Sequence, residues 1–146
     1  MQITALAMEP REREMFVVAG MSCRRIVRGE ETGGAWSMVE FTAEPAKGTP
    51  YHVAQRQDRV LYVVESAFRV RIAGRNVTLG PGGSVRIPRG VPHSFTCVGY
   101  EAGRVLVTCT PAGEERMLEE LSRIAWQPDS PEMAELLAQH GLEPAA

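Results

Sequence analysis

The chain has 146 residues, with 16 basic and 18 acidic side chains and a formal net charge of −2, which suits one domain with a core of its own. Charges of both signs are interspersed and no basic stripe stands out, which argues against nucleic acid as a partner. No segment reads as a signal peptide or a membrane span, and three cysteines at spacings that match no zinc motif argue against a disulfide framework, so a cytoplasmic protein is expected.

Short runs rich in Val, Ile, Phe and Thr follow one another: MFVV (15–18), WSMVEFT (36–42), VLYVVE (60–65), FRVRI (68–72), SVRI (84–87), HSFTCV (93–98) and RVLVTCT (104–110). Many alternate in residue type, as half-buried strands do. The punctuation between them is turn chemistry: ETGGA, AKGTP, IAGRN, LGPGGS and PRGVP. Strands at this density without intervening helices predict a sandwich or barrel over about 15–110.

The pattern changes after Pro111. GEERMLEELSRIAW sets Met117, Leu118, Leu121 and Ile124 on one face with charges opposite, an amphipathic helix. PDSPEMAELLAQHGL offers Asp129 or Ser130 as N-cap, Pro131 in the first turn, Leu136 and Leu137 inside, and Gly141 as C-cap. Two helices within about 112–142 are therefore expected to cover a sheet face or an open barrel end, within a single domain spanning 1–146.

Two stretches carry a family resemblance. GTPYHVAQRQDRVLYVVESAFRVRIAG and GGSVRIPRGVPHSFTC follow the order of the two motifs of the cupin superfamily. In the second, Gly82, Pro88, Gly90 and His93 are all in register. The chain resembles, more narrowly, the small bacterial quercetin-dioxygenase-like cupins over roughly Glu31 to Leu121. The resemblance implies an all-β jelly-roll barrel closed by two short C-terminal helices, and a homodimer.

It also implies a metal site, from which this sequence departs. The family binds one divalent metal through two histidines and a glutamate of the first motif and a histidine of the second. His52 and His93 fall on two of those positions, but Ala54 falls on another histidine and Arg59 on the glutamate. Asp58 is no substitute, because side chains alternate faces along a strand. Two histidines beside a fixed cation would bind a dication weakly. No cofactor is expected, a divalent metal at His52 and His93 being the lesser option.

What remains suits proton transfer. An imidazole titrates near ~6.5 and needs no metal, and positioned acid–base catalysis contributes roughly 10²–10⁴-fold. His52 and His93 are the expected proton-transfer groups, with Arg59 as anion clamp. Arg59 needs a carboxylate of its own, which a substrate or Glu40 would supply. Glu40, Tyr51, Phe95 and Cys97 are the candidates for substrate contact, although Val39 and Phe41 argue for Glu40 facing outward and Tyr51 alternates away from His52. Trp36 is read as core or substrate platform.

The expected function is that of a small-molecule enzyme of natural-product metabolism. It would act by metal-independent dehydration, isomerisation or cyclisation on a small substrate, an anion being the kind that Arg59 would clamp. A quercetinase-like metal-dependent dioxygenase and a non-catalytic small-molecule-binding protein are the alternatives.

Overall fold

A computed structural model describes residues 7–9, 14–124 and 130–146. Eleven strands and two helices are found among them: β1 Met15–Val18, β2 Met21–Val27, β3 Ser37–Ala43, β4 His52–Ala54, β5 Asp58–Glu65, β6 Phe68–Ile72, β7 Arg75–Leu79, β8 Ser84–Ile87, β9 His93–Cys97, β10 Gly103–Thr110, α1 Glu114–Ser122, α2 Pro131–Gln139 and β11 Leu142–Pro144. They form two antiparallel sheets, of order β1-β2-β3-β10-β5-β8 and β11-β4-β9-β6-β7. The architecture is a jelly-roll barrel with two short helices, as expected. No helix among the described residues is long and apolar enough to cross a membrane.

Strict alternation builds the interior. On β3 the residues Val39 and Phe41 are buried between half-buried Met38, Glu40 and Thr42. Along β5, Arg59, Leu61 and Val63 point inward while Val60 and Tyr62 are exposed. Phe95 on β9 sits edge-on to Phe41 of the other sheet and to Phe68 of its own, at 5.5 and 5.9 Å between ring centres. These three rings join the two layers, an arrangement aromatic pairs favour.

Four strands were not legible as strands. β2 has the sequence MSCRRIV, whose inward residues are Met21 and Cys23. Its two central arginines hide the period. β7 is exposed almost throughout, and β4 and β11 have three residues each, too few for any period to show.

The helices close one end of the barrel. α1 packs on β1 and β3, and α2 packs on β11. Met117, Leu118 and Leu121 of α1 are buried as the helical spacing requires, and Ile124 packs partly against the core. On α2 the fully buried residue is Met133, while Leu136 and Leu137 are only partly covered. Ser130 caps α2 by accepting the Met133 N–H. Gly141 takes the left-handed conformation just past its end, at φ +76°. Asp129, the other candidate cap, and the last two residues of the first predicted helix, 125–126, lie outside the described residues.

One glycine is dictated by close approach. Gly48 lies against β9, bridged to Thr96, and a Cβ there would fall 1.9 Å from the Phe95 carbonyl oxygen. Its absence lets the loop before His52 dock on the strand that carries His93.

Candidate active site: two imidazoles on one guanidinium

His52 opens β4 and His93 opens β9, and the two are direct partners across the sheet. The PRGVP turn aims the second ring inward. Gly90 takes φ +84° and donates its N–H to the Ala54 carbonyl, while Val91 N–H returns to Pro88. The two rings lie 4.5 Å apart between centres. Arg59 approaches from β5 in the facing sheet.

Each imidazole Nδ1 lies against a backbone carbonyl, Pro50 O at 2.8 Å for His52 and Val91 O at 2.9 Å for His93. A carbonyl only accepts, so Nδ1 carries the hydrogen in both rings and Nε2 presents a lone pair. Both lone pairs converge on one atom. Arg59 Nη1 donates to His52 Nε2 at 3.1 Å and to His93 Nε2 at 3.3 Å, one hydrogen to each.

Burial lowers the His52 pKa to about 3, helped by Arg59 and His93. Burial and then Arg59 lower that of His93 to about 4. Both imidazoles are therefore neutral at pH 7.

The guanidinium is itself buried, at 5% exposure. Burial works against its charge, but Glu114 and Cys109 beside it hold its pKa above the ordinary value. Glu114 is the first residue of α1, is buried, and sets Oε1 4.0 Å from Arg59 Nη2. Its other oxygen accepts the Cys109 thiol hydrogen. Burial, reinforced by Glu114, keeps that thiol protonated by raising its pKa well above the usual value. The neighbouring Glu115 clamps the helix to the barrel by accepting Gly29 N–H at 2.8 Å and Gly113 N–H at 3.2 Å. Arg59 Nε and Nη2 have no hydrogen-bond partner.

This group forms part of the wall of a cavity of about 160 Å³ between the two sheets and the C-terminal helices. Exposed lining residues, among them Ala134, Pro50, Glu143 and Pro144, mark its opening. The structure thus brings His52, His93, Arg59 and Phe95 to one cavity.

The remaining expected contacts fall elsewhere or are already engaged. Glu40 lies on the opposite face of β3, bound to Arg104 at 3.3 Å, because Val39 and Phe41 take the inward positions. The carboxylate expected from β3 comes from α1 instead. Cys97 is buried against Ser66 and Glu101 and does not line the cavity. Tyr51 borders the cavity, but its hydroxyl accepts the Gly74 N–H and Arg71 stacks on its ring. Trp36 is partly exposed and does not line the cavity. Asp58 points away from Arg59 and pairs with Arg89 at the surface, as alternation requires.

Glu114 was missed. In GEERMLEEL it reads as one of two acids in an exposed first turn, and only the need of a buried arginine for a carboxylate hinted at a partner. Among the described residues, no three of His, Cys, Asp and Glu converge so as to hold a metal ion.

Residues 39–109 match the cupin domain family. No curated protein matches the chain in sequence. Several solved structures share its fold. KdgF from a Halomonas species superposes with a TM-score of 0.69 at 19% identity, covering 77% of this chain and 99% of the other. An RmlC-like cupin from Shewanella frigidimarina gives 0.66 at 22% identity over 80% and 99% of the two chains. The polyketide cyclase RemF from Streptomyces resistomycificus gives 0.65 at 19% identity over 91% and 99%. The two-sheet barrel, the in-register second motif and the domain match agree: residues 39–109 form a cupin domain, and the chain has the cupin fold.

Proposed function

We propose that this cupin is a small-molecule enzyme that works by metal-independent acid–base chemistry: dehydration, isomerisation or cyclisation. The observation that carries the reading is Arg59 Nη1 lying between the two imidazole Nε2 atoms. Donors arranged for a dication would leave those lone pairs facing an open position. Here they face a cation that does not titrate. The residues present do not fit a metal.

The chemistry follows from exchanging partners. A substrate carboxylate oxygen that draws the guanidinium toward itself releases an imidazole Nε2. The same anion offsets the positive charge that weakens the imidazole as a base, so its basicity rises where it is needed. The freed Nε2 takes a proton from carbon beside the carbonyl, while Arg59 holds the enolate oxygen by hydrogen bonds. The imidazolium then returns that proton to another carbon in an isomerisation, or to a departing hydroxyl in a dehydration. In a cyclisation the enolate carbon closes the ring on a second carbonyl carbon of the substrate, and the proton goes to the alkoxide oxygen so formed. A cyclase among proteins of the same fold is compatible with this reading.

A non-catalytic binding role is the second reading, favoured by the low pKa values of the two histidines and by the engagement of both lone pairs in the unliganded site.

The test is elemental metal content and turnover on protein purified without chelators or a metal-affinity column. The wild type is expected to hold close to no metal, and to convert an anionic carbonyl substrate equally with and without chelator. His93→Ala is expected to abolish turnover with the fold intact. Arg59→Glu restores two histidines and a carboxylate and is expected to take up about one equivalent of Zn²⁺ or Ni²⁺. About one equivalent of metal in the wild type would overturn the proposal. Binding of carbonyl compounds without conversion would favour the second reading.

A further inference from the structure

The cavity wall is made largely of hydrocarbon and thioether, including Met21, Phe41, Leu61, Phe95, Val107 and Leu118. Its polar side chains are few, and nearly all are engaged with the protein. Thr49 Oγ1 accepts the Phe95 N–H, and Tyr51 Oη accepts the Gly74 N–H. The two Nδ1 atoms bind backbone carbonyls, and both Nε2 atoms take Arg59 Nη1. Glu143 stands at the exposed edge. The exceptions are Glu114, which lines the same cavity and sets Oε1 4.0 Å from Arg59 Nη2, and Arg59 itself, nine-tenths buried, whose Nε and Nη2 have no hydrogen-bond partner.

A ligand rich in hydroxyls would leave water here and find few replacement hydrogen bonds, a cost for every group left unsatisfied. A ligand with one oxygen headgroup meets the opposite situation. Its body replaces water against apolar walls, and its single acceptor meets the one guanidinium with donors to spare once that side chain turns toward the cavity.

We infer that the ligand of this cavity is an apolar ring or acyl compound bearing a single carbonyl or carboxylate headgroup held by Arg59. Sugars, sugar acids and sugar phosphates are disfavoured. The cavity of about 160 Å³ suits a compact ligand such as a bicyclic aromatic acid or a medium-chain acyl group. The inference rests on reading this cavity as the reactive site, and adds which molecules enter it.

The experiment is calorimetric titration of the full chain with four probes: 2-naphthoate, decanoate, glucuronate and glucose 6-phosphate. The first two are expected to bind at least tenfold more tightly than the last two. Ala134→Trp, on the exposed face of α2 at the opening, is expected to weaken naphthoate and decanoate at least tenfold with the melting temperature unchanged. Arg59→Met is expected to weaken both carboxylates and leave 2-methylnaphthalene unaffected. If Arg59→Met does not fold, the Ala134→Trp result decides. Equal or tighter binding of either sugar compound, no binding of the apolar acids, or apolar-acid binding indifferent to Ala134→Trp would each overturn the inference. Conversion of a sugar acid by the wild type would refute the ligand class and leave the acid–base proposal standing. Tight binding of apolar acids with no conversion of any apolar carbonyl compound would do the reverse.

Discussion

Two arginines on opposite faces of the six-stranded sheet, Arg104 and Arg59, live in opposite circumstances. On the outside, Arg104 of β10 binds Glu65 at 2.6 Å and Glu40 at 3.3 Å, with water at hand. On the inside, Arg59 of β5 has its nearest carboxylate at 4.0 Å, with both side chains about 95% buried. Distance alone would rank the outer group as the stronger one. Solvent reverses that order, because exposed pairs are screened and replaced by water at little cost. A buried charge left without its partner has no such substitute. The inner group is also completed from three directions: β5 supplies the arginine, β4 and β9 the imidazoles, and α1 the carboxylate.

The largest effect in this comparison is expected from Glu114→Ala, which leaves the Arg59 charge buried without its carboxylate. A loss of about 3–5 kcal/mol in unfolding free energy is expected from chemical denaturation. A loss no greater than that for a surface pair would mean that the guanidinium draws its support from the imidazoles alone.

Acid should separate the two faces next. His52 and His93 have folded pKa values lowered to about 3 and about 4, against about 6.5 when unfolded. Below about pH 6.5 the unfolded chain takes up protons that the folded chain refuses, so unfolding gains. Their contribution is therefore at its best above about pH 6.5 and is lost progressively as pH falls through about 4 for His93 and about 3 for His52. The melting temperature is expected to drop across that window in the wild type, and less steeply in His52→Gln. An unchanged slope in the variant would place the acid sensitivity elsewhere.

The smallest effect belongs to the outer face. Arg104→Ala is expected to cost only what exposed ion pairs usually do, seen as a nearly unchanged denaturation midpoint. A loss rivalling that of Glu114→Ala would remove the distinction between the faces.

The barrel could be read from the sequence because its long strands alternate cleanly and its turns carry glycine and proline at fixed places. The second motif located His93 for the same reason: Pro88 and Gly90 make a turn with one geometry. Strand alternation was enough to separate Asp58 from Arg59, and the structure keeps them apart as expected. What could not be read depends on pairings distant in the chain. Nothing local in LEP marks β11 as the partner of β4, and nothing in GEERM marks Glu114, rather than Glu40, as the carboxylate facing Arg59. The orientation of both rings likewise follows from carbonyls two residues upstream, at Pro50 and Val91, which no side-chain pattern encodes.

The pairing of β11 with β4 has a practical side. Pro144 lies opposite His52, and the Ala145 N–H binds the Tyr51 carbonyl, so the residues after the second helix run along the rim of the cavity. A polarity-sensitive dye attached at Ala146 would sit beside the opening and could report, by a change in emission, when a ligand enters. A polyhistidine tag attached there would bring extra imidazoles to the same rim and blur any metal measurement, so that assay is better done with the tag at the other end or removed.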